Sequence, residues 1–118
     1  VRFGNVIGSR GSVLRSFRLQ AQHHGEVQVR GNTTSRYFMT EGEVASLVLS
    51  TLAHDEPDGT YVFKVSEPVK IIRLAHGVIA EIGSQAEIRI VPLEPGEARD
   101  ERLFVDDENP SKTSVPEV

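Results

Sequence analysis

Short strand-like segments alternate along this 118-residue chain with longer segments of helical periodicity. The clearest strands are Glu26–Arg30 and Glu87–Val91, in which apolar and polar residues alternate. Three helical patterns follow Ser12, Thr40 and Pro68. Because strands that alternate with helices pack as layers around one core, this order predicts an α/β fold.

Each helical pattern places its apolar residues along one face of the helix. The three apolar stripes are Val13, Phe17 and Ala21; Val44, Val48 and Leu52, with Ala45 and Leu49 beside them; and Ile71, Ala75, Val78 and Ile82. Thr40 and Glu43 form the T-x-x-E pattern of a capping box, which predicts the start of the second helix. We also predict a buried strand over Val1–Ile7 and further extended segments at Arg36–Met39 and Tyr61–Val65.

Composition excludes several classes of protein. The hydrophobic fraction of 38% is ordinary for a globular domain, and no apolar run approaches the roughly 20 residues of a membrane span. The absence of cysteine excludes disulfides and thiolate metal sites. A net charge of −4 gives no support to nucleic-acid binding as a bulk property, although a basic pocket for a small anion is compatible with it.

The opening stretch, VRFGNVIGSRGSV, has the strand, glycine turn and helix order of a dinucleotide-binding unit. Its glycines at positions 4, 8 and 11 do not match G-x-G-x-x-G, in which each glycine has a geometric role. A cofactor loop, a plain strand-to-helix turn, and an anion-binding loop at the helix N-terminus all stay open. Because an apolar strand begins at the first residue, we interpret the chain as a fragment.

The chain lacks recognisable catalytic motifs. G-x-S-x-G is absent, and the four histidines have no metal-ligand spacing, so we predict neither catalytic residues nor a metal site. The Y-x-x-x-K pair is also absent, since Tyr37 is followed four residues later by Glu41. Polar residues at loop ends, namely Asn5, Ser12, Arg36 and Glu97, have ordinary structural explanations, and a shared binding site for them is the other possibility.

Four segments, VRFGNVIGSRGSV, SRYFMT, EPVKI and LEPGE, occur here in an order that resembles one family. They are similar to the C-terminal part of nucleotide-sugar 4,6-dehydratases and epimerases of polysaccharide biosynthesis, which belong to the extended short-chain dehydrogenase/reductase superfamily. The resemblance covers the whole chain. It implies a UDP-N-acetylglucosamine-like substrate, NAD or NADP in the intact enzyme, and a Rossmann-type α/β fold of which this chain is the C-terminal, substrate-binding portion.

The resemblance also implies residue roles. Phe3 would lie near the nicotinamide, and Asn5 would face the sugar diphosphate. Ser12 and Val13 would contact the diphosphate and nucleobase side. Arg36 would grip the diphosphate, a role that suits a guanidinium group. The remaining substrate-binding residue would be Glu97, as the acceptor of ribose hydroxyl groups.

Two positions depart from the pattern of the family. Relatives usually carry R-P-G-E-K, in which the arginine is a second diphosphate contact, whereas this chain has Glu94 in its place. A carboxylate beside a desolvated diphosphate would repel it, and Arg99 is a possible compensating charge. Arg15 replaces a proline that is common after G-S-V.

We therefore expect residues 1–105 to form the substrate-binding C-terminal portion of a nucleotide-sugar dehydratase or epimerase, and residues 106–118 to be a polar, poorly ordered tail. In the intact enzyme the cofactor would take hydride from C4 of the sugar, water would leave across C5–C6, and hydride would return to C6. This chain would supply substrate binding and be inactive alone. The expected partners are a UDP-sugar, a missing N-terminal Rossmann domain and further copies in a homo-oligomer, without nucleic acid.

Two other interpretations stay open. One is a non-catalytic relic or interaction module that has lost its diphosphate site, and the other is a related dehydrogenase or reductase that acts on a different sugar. We expect a cytoplasmic location for this part of the protein. An N-terminal membrane anchor outside the 118 residues is compatible with the family.

Overall fold

The computed structural model describes residues 1–53, 59–63, 67–104 and 107–113. Within them the chain forms three helices and six short strands. In chain order these are β1 (Asn5–Val6), α1 (Val13–His23), β2 (Glu26–Arg30), β3 (Ser35–Arg36), β4 (Phe38–Met39), α2 (Glu41–Leu52), β5 (Val69–Lys70), α3 (Ile71–Glu81) and β6 (Glu87–Val91).

The core lies between helices α1 and α3 and a parallel pair of strands, β2 and β6. Their register runs from Glu26 opposite Glu87 to Arg30 opposite Val91. Alternate residues of a strand point to opposite faces, so Val27 and Val29 turn into the core, where both are fully buried. The buried cluster consists of Phe17, Ala21, Val27, Val29, Ile71, Ala75 and Val78.

The core buries five of the seven residues in the predicted stripes of α1 and α3. Phe17 and Ala21 are buried in α1, and Ile71, Ala75 and Val78 are buried in α3. The bounds predicted for β2 and β6 are also confirmed. An ion pair spans the two helices on their outer side, where Arg18 donates to both carboxylate oxygens of Glu81 at 2.7 and 2.8 Å.

The opening segment is shorter as a strand and more exposed than its apolar run predicts. Only Asn5 and Val6 form a strand, which pairs in parallel with β4, and Arg2 makes an isolated bridge to Val62. Val1 and Ile7 are exposed. The prediction of a buried strand over Val1–Ile7 is therefore wrong in extent, because the described residues provide no second layer over these side chains.

Helix α2 begins as predicted but does not bury its stripe. Thr40 accepts a hydrogen bond from the Glu43 backbone N–H, and the Glu43 carboxylate accepts one from the Thr40 backbone N–H, so the capping box is complete. No residue of α2 is buried, and Leu49 and Leu52 are 66% and 77% exposed. The capping pattern is local and was predicted correctly, whereas the burial of the stripe depends on a partner surface.

Three further predictions have mixed outcomes. The extended segment Arg36–Met39 is confirmed as β3 and β4, which include four residues in all, Ser35, Arg36, Phe38 and Met39.

Within Tyr61–Val65, Val62 makes the bridge to Arg2, whereas residues 64 and 65 lie outside the described residues. In the tail, Glu108 accepts a hydrogen bond from Arg2 at 2.6 Å, and residues 106 and 114–118 lie outside the description.

None of the helices formed by the described residues has both the length and the apolar character that a membrane crossing requires.

Candidate functional site

A cavity of about 550 Å³ lies beside the end of β2, between the start of α1 and the segment that follows β6. The opening segment closes one side of it. Its walls are formed by Asn5, Val6, Ile7, Ser9, Arg10, Gly11, Ser12, Val13, Leu14, Ser16, Phe17, Gln20, Gln28, Arg30, Thr34, Arg36, Phe38, Ile71, Val91 and Glu97. A volume of this size accommodates a small organic ligand.

The five residues that the resemblance assigned to substrate binding all line this cavity: Asn5, Ser12, Val13, Arg36 and Glu97. They come from four separate parts of the chain, and the fold brings them to one place. The charged residues in the walls are three arginines, Arg10, Arg30 and Arg36, and one glutamate. The cavity therefore carries a surplus of positive charge, although the whole chain has a net charge of −4.

Ser12 and Val13 stand where α1 begins. Ser12 is the N-cap residue, and its side chain makes no capping hydrogen bond. The Ser12 hydroxyl therefore does not bond to the helix backbone. The first amide groups of the 11-residue helix lack partners within the helix and point toward its N-terminal end, where Ser12 lies. This end of α1 combines a hydroxyl with the positive end of a helix dipole.

Arg36 is held by backbone oxygen atoms. One of its terminal nitrogens donates to the carbonyls of Ser35 and Arg99, at 2.7 and 2.9 Å, and the other donates to the carbonyl of Ala98 at 2.8 Å. Carbonyl oxygens fix the guanidinium without neutralising it. Arg36 thus presents a positioned positive charge to the cavity, and it ties the segment after β6 to β3.

Glu97 closes a tight turn with Glu94. The Glu97 backbone N–H donates to the Glu94 carbonyl at 3.0 Å, and the Glu94 backbone N–H donates to the Glu97 carboxylate at 3.0 Å. Glu97 is half-buried and borders the cavity. The turn therefore restrains the Glu97 carboxylate at the border of the cavity.

Asn5 is connected to a residue that the sequence reasoning missed, Glu101. The Asn5 side-chain amide donates to the Glu101 carboxylate at 3.1 Å, and the same carboxylate accepts the backbone N–H of Tyr37 at 3.1 Å. Next to it, the Ser35 hydroxyl donates to Asp100 at 2.7 Å. These contacts fasten residues 98–101 to β3 and orient Asn5.

Arg30 is a second residue that the sequence reasoning did not identify. It is the last residue of β2, it lines the cavity, and one of its terminal nitrogens lies 2.7 Å from the Glu94 carboxylate. The structure thus gives Glu94 a cationic partner. Arg99, considered from sequence as the compensating charge, is exposed and contributes its backbone carbonyl to Ser35 and Arg36.

The turn after Arg30 requires glycine. Gly31 has a φ of +64°, and a Cβ atom there would lie 2.6 Å from the Thr34 hydroxyl oxygen and 3.3 Å from Leu93. Both the positive φ and the lack of space disfavour any side chain. The backbone of Gly31 also donates to the Val91 carbonyl at 2.9 Å, which holds the ends of β2 and β6 together at the cavity.

Phe3 lies apart from the other predicted site residues. Its ring stacks on the buried ring of Phe63, with centroids 6.2 Å apart and planes 11° from parallel. Phe3 is not among the cavity-lining residues. Its predicted contact with a nicotinamide stays a prediction.

The first of the opening glycines has a structural role. Gly4 packs against Tyr37, and a Cβ atom on it would lie 2.6 Å from the Tyr37 carbonyl oxygen. It thus serves the pairing of β1 with β4 rather than the approach of a pyrophosphate.

Residues 1–118 match the sequence model of the polysaccharide biosynthesis protein family. The chain belongs to that family. Within it, the chain is 37% identical over its whole length to the probable polysaccharide biosynthesis protein EpsC of Bacillus subtilis. It is 40% identical over 88% of its length to the capsular polysaccharide biosynthesis protein CapD of Staphylococcus aureus. It spans 20% of EpsC and 18% of CapD.

Solved structures place this polysaccharide biosynthesis chain in a known fold. Pen from Bacillus thuringiensis superposes with a TM-score of 0.80 at 30% identity, over 91% of this chain and 34% of Pen. A UDP-glucuronic acid 4-epimerase from Bacillus cereus, solved with UDP-glucuronic acid and NAD, superposes over 84% of the chain and 33% of the enzyme, with a TM-score of 0.69 at 17% identity. The predicted fold class, α/β of the extended short-chain dehydrogenase/reductase type, is confirmed.

Proposed function

We propose that this chain is the sugar-nucleotide-binding portion of an NAD(P)-dependent nucleotide-sugar 4,6-dehydratase or epimerase, with a UDP-N-acetylglucosamine-like substrate. The observation that carries the proposal is the single cavity lined by Asn5, Ser12, Val13, Arg36 and Glu97. A diphosphate carries concentrated negative charge, and a guanidinium fork and a helix N-terminus are groups that bind it well. Relatives named for polysaccharide biosynthesis, and the neighbour solved with a UDP-sugar, support this class of ligand.

Within the proposed enzyme, this chain binds and orients the substrate. Arg36 and the start of α1 hold the diphosphate from two sides, and the Glu97 carboxylate accepts hydrogen bonds from ribose hydroxyl groups. Fixed binding of the nucleotide positions the sugar for reaction, which lowers the entropic part of the barrier. NAD(P) would supply hydride transfer when bound, and we assign its main binding site to an N-terminal Rossmann domain outside these residues.

Further parts of the proposal concern the whole protein. We assign residues 1–105 to substrate binding and residues 106–118 to a tail. The intact enzyme would be a homo-oligomer, and this part of it would be cytoplasmic. The neighbour solved with NAD supports the choice of cofactor class.

Calorimetric titration of the chain with UDP and with UDP-N-acetylglucosamine tests the proposed site. We expect both to bind, and we expect Arg36→Ala to weaken binding at least about tenfold, because it removes a charge-assisted contact. Arg73→Ala is the matched control: it removes the same charge from an exposed position on α3 that does not line the cavity, and it should leave binding unchanged. Thermal unfolding of each variant verifies that it is folded.

Absence of binding would contradict the proposed site. If the folded wild-type chain binds neither ligand at millimolar concentration, the proposed site is wrong, and the non-catalytic interaction module becomes the better explanation. Equal weakening by Arg36→Ala and Arg73→Ala would show that only the net charge of the chain matters.

A further inference from the structure

We propose that Arg30 is a direct diphosphate-binding residue of the cavity and that Glu94 positions its guanidinium. This inference rests on the proposed function, since it concerns the same ligand. It concerns a strand residue that neither the sequence motifs nor the resemblance assigned. Its starting point is the pair formed by Arg30 and Glu94, whose nitrogen and oxygen lie 2.7 Å apart.

The two residues meet because β2 and β6 run parallel and end at the same edge. Arg30 is opposite Val91, and Glu94 follows in the turn that leads to Glu97. Arg30 is a cavity-lining residue, whereas Glu94 is not. The pair therefore stands at the edge of the cavity, with the arginine as its cavity-lining member.

This arrangement leaves Arg30 able to bind an anion. The contact to Glu94 uses one terminal nitrogen, and a guanidinium group has five N–H donors in a planar fork. The side chains of Arg30 and Glu94 are 47% and 65% exposed, and ion pairs this exposed are weak. A diphosphate can then share the guanidinium without a large cost for breaking the pair.

The ion pair also compensates the negative charge of Glu94, which would otherwise repel a diphosphate. At its position relatives usually have an arginine that contacts the diphosphate. Here the acidic residue occupies that position and the cation is on the neighbouring strand, so the cavity wall still presents two separately anchored arginines, Arg30 and Arg36. We infer that the second diphosphate contact has moved from the turn after β6 to the end of β2.

The alternative to exclude is that Arg30 merely screens the charge of Glu94. Both ideas predict weaker UDP binding in Arg30→Gln, so the decisive measurement uses a Glu94→Gln background. We expect Arg30→Gln to weaken UDP binding about tenfold in the wild-type chain and also in Glu94→Gln. Arg30→Lys, which keeps the charge, should lose less than Arg30→Gln in both backgrounds.

Uridine serves as the matched ligand because it lacks the diphosphate. We expect its affinity to be the same for all of these variants, within about twofold. Equal UDP affinity of Glu94→Gln and the double variant would overturn the inference, since Arg30 would then act only through Glu94. A parallel loss of uridine binding would overturn it as well, because the effect would not concern the diphosphate.

The failure of this inference can be distinguished from the failure of the proposed function. If the wild-type chain binds UDP and Arg36→Ala weakens that binding, the proposed function stands whatever the Arg30 variants do. If the folded wild-type chain does not bind UDP, both are overturned.

Discussion

At the scale of single residues, the cavity depends on how its charged groups are anchored. Arg36 is fixed by carbonyl oxygens and Arg30 by a carboxylate, so the two arginines differ in the net charge of their surroundings. Sequence reasoning found Arg36 because it lies in the recognisable segment SRYFMT. It missed Arg30, because a charged residue at the end of a strand is ordinarily a solvated surface residue, and its partner Glu94 comes near only through the β2–β6 register.

Gly4 provides a residue-scale prediction. Gly4→Ala should destabilise the chain by about 1–3 kcal/mol, because the added methyl group overlaps the Tyr37 carbonyl and the cost is that of overpacking. Gly77→Ala is the control, since its Cβ would meet nothing within 4 Å and alanine is favoured within a helix by about 1 kcal/mol. Chemical denaturation measures both. A neutral Gly4→Ala would contradict the close packing of β1 on the segment before β4.

At the scale of elements, local sequence patterns predicted the helices and strands well, but they did not predict which apolar faces are covered. Alternation in β2 and β6, the periodicity of α1 and α3, and the capping box of α2 are properties of consecutive residues, and the structure confirms them. Whether an apolar face is covered depends on distant parts of the chain. For this reason the opening segment is less buried than predicted, and the apolar stripe of α2 contributes no buried residue.

The capping box of α2 predicts a dependence on pH. Hydrogen bonds from the Thr40 backbone N–H and hydroxyl lower the pKa of Glu43 from its usual 4.5. Its contribution to the stability of α2 is therefore complete above about pH 4.5 and is lost as the pH falls through the lowered value. Amide hydrogen exchange in α2 should show greater protection in the wild type than in Glu43→Gln at pH 7, and that difference should shrink as the pH falls below about 4.5 and Glu43 is protonated.

A second variant identifies the source of this effect. Thr40→Val removes the hydroxyl but keeps the backbone N–H, so it should reduce the difference between Glu43 and its Gln variant without abolishing it. A difference between the two chains that does not shrink as Glu43 is protonated would show that its charge is not responsible.

At the scale of the whole molecule, stability and exposure are unevenly distributed. The apolar cluster draws on α1, β2 and α3, with Ile88 of β6 packed against it, whereas α2 contributes no buried residue. Val27→Ala should cost about 2 kcal/mol, since it deletes two methyl groups from a fully buried position. Leu52→Ala removes more atoms but should cost less than about 0.5 kcal/mol, because that side chain is 77% exposed.

Denaturation of the two variants in parallel tests this distribution. Similar losses of stability for Val27→Ala and Leu52→Ala would mean that α2 belongs to the cooperative core of the chain.

The order of the core elements along the chain has a consequence for chain entropy. The unit α1–β2 ends at Arg30, and the unit α3–β6 begins at Ile71, so the pairing of β2 with β6 must close the long loop between them. Closure entropy grows only logarithmically, and halving that loop would favour closure by only about 0.6 kcal/mol. Contacts this distant in sequence slow folding more than they weaken the folded state. A moderate change in the length of the segment between the two core units therefore alters the closure entropy of the β2–β6 pairing only slightly.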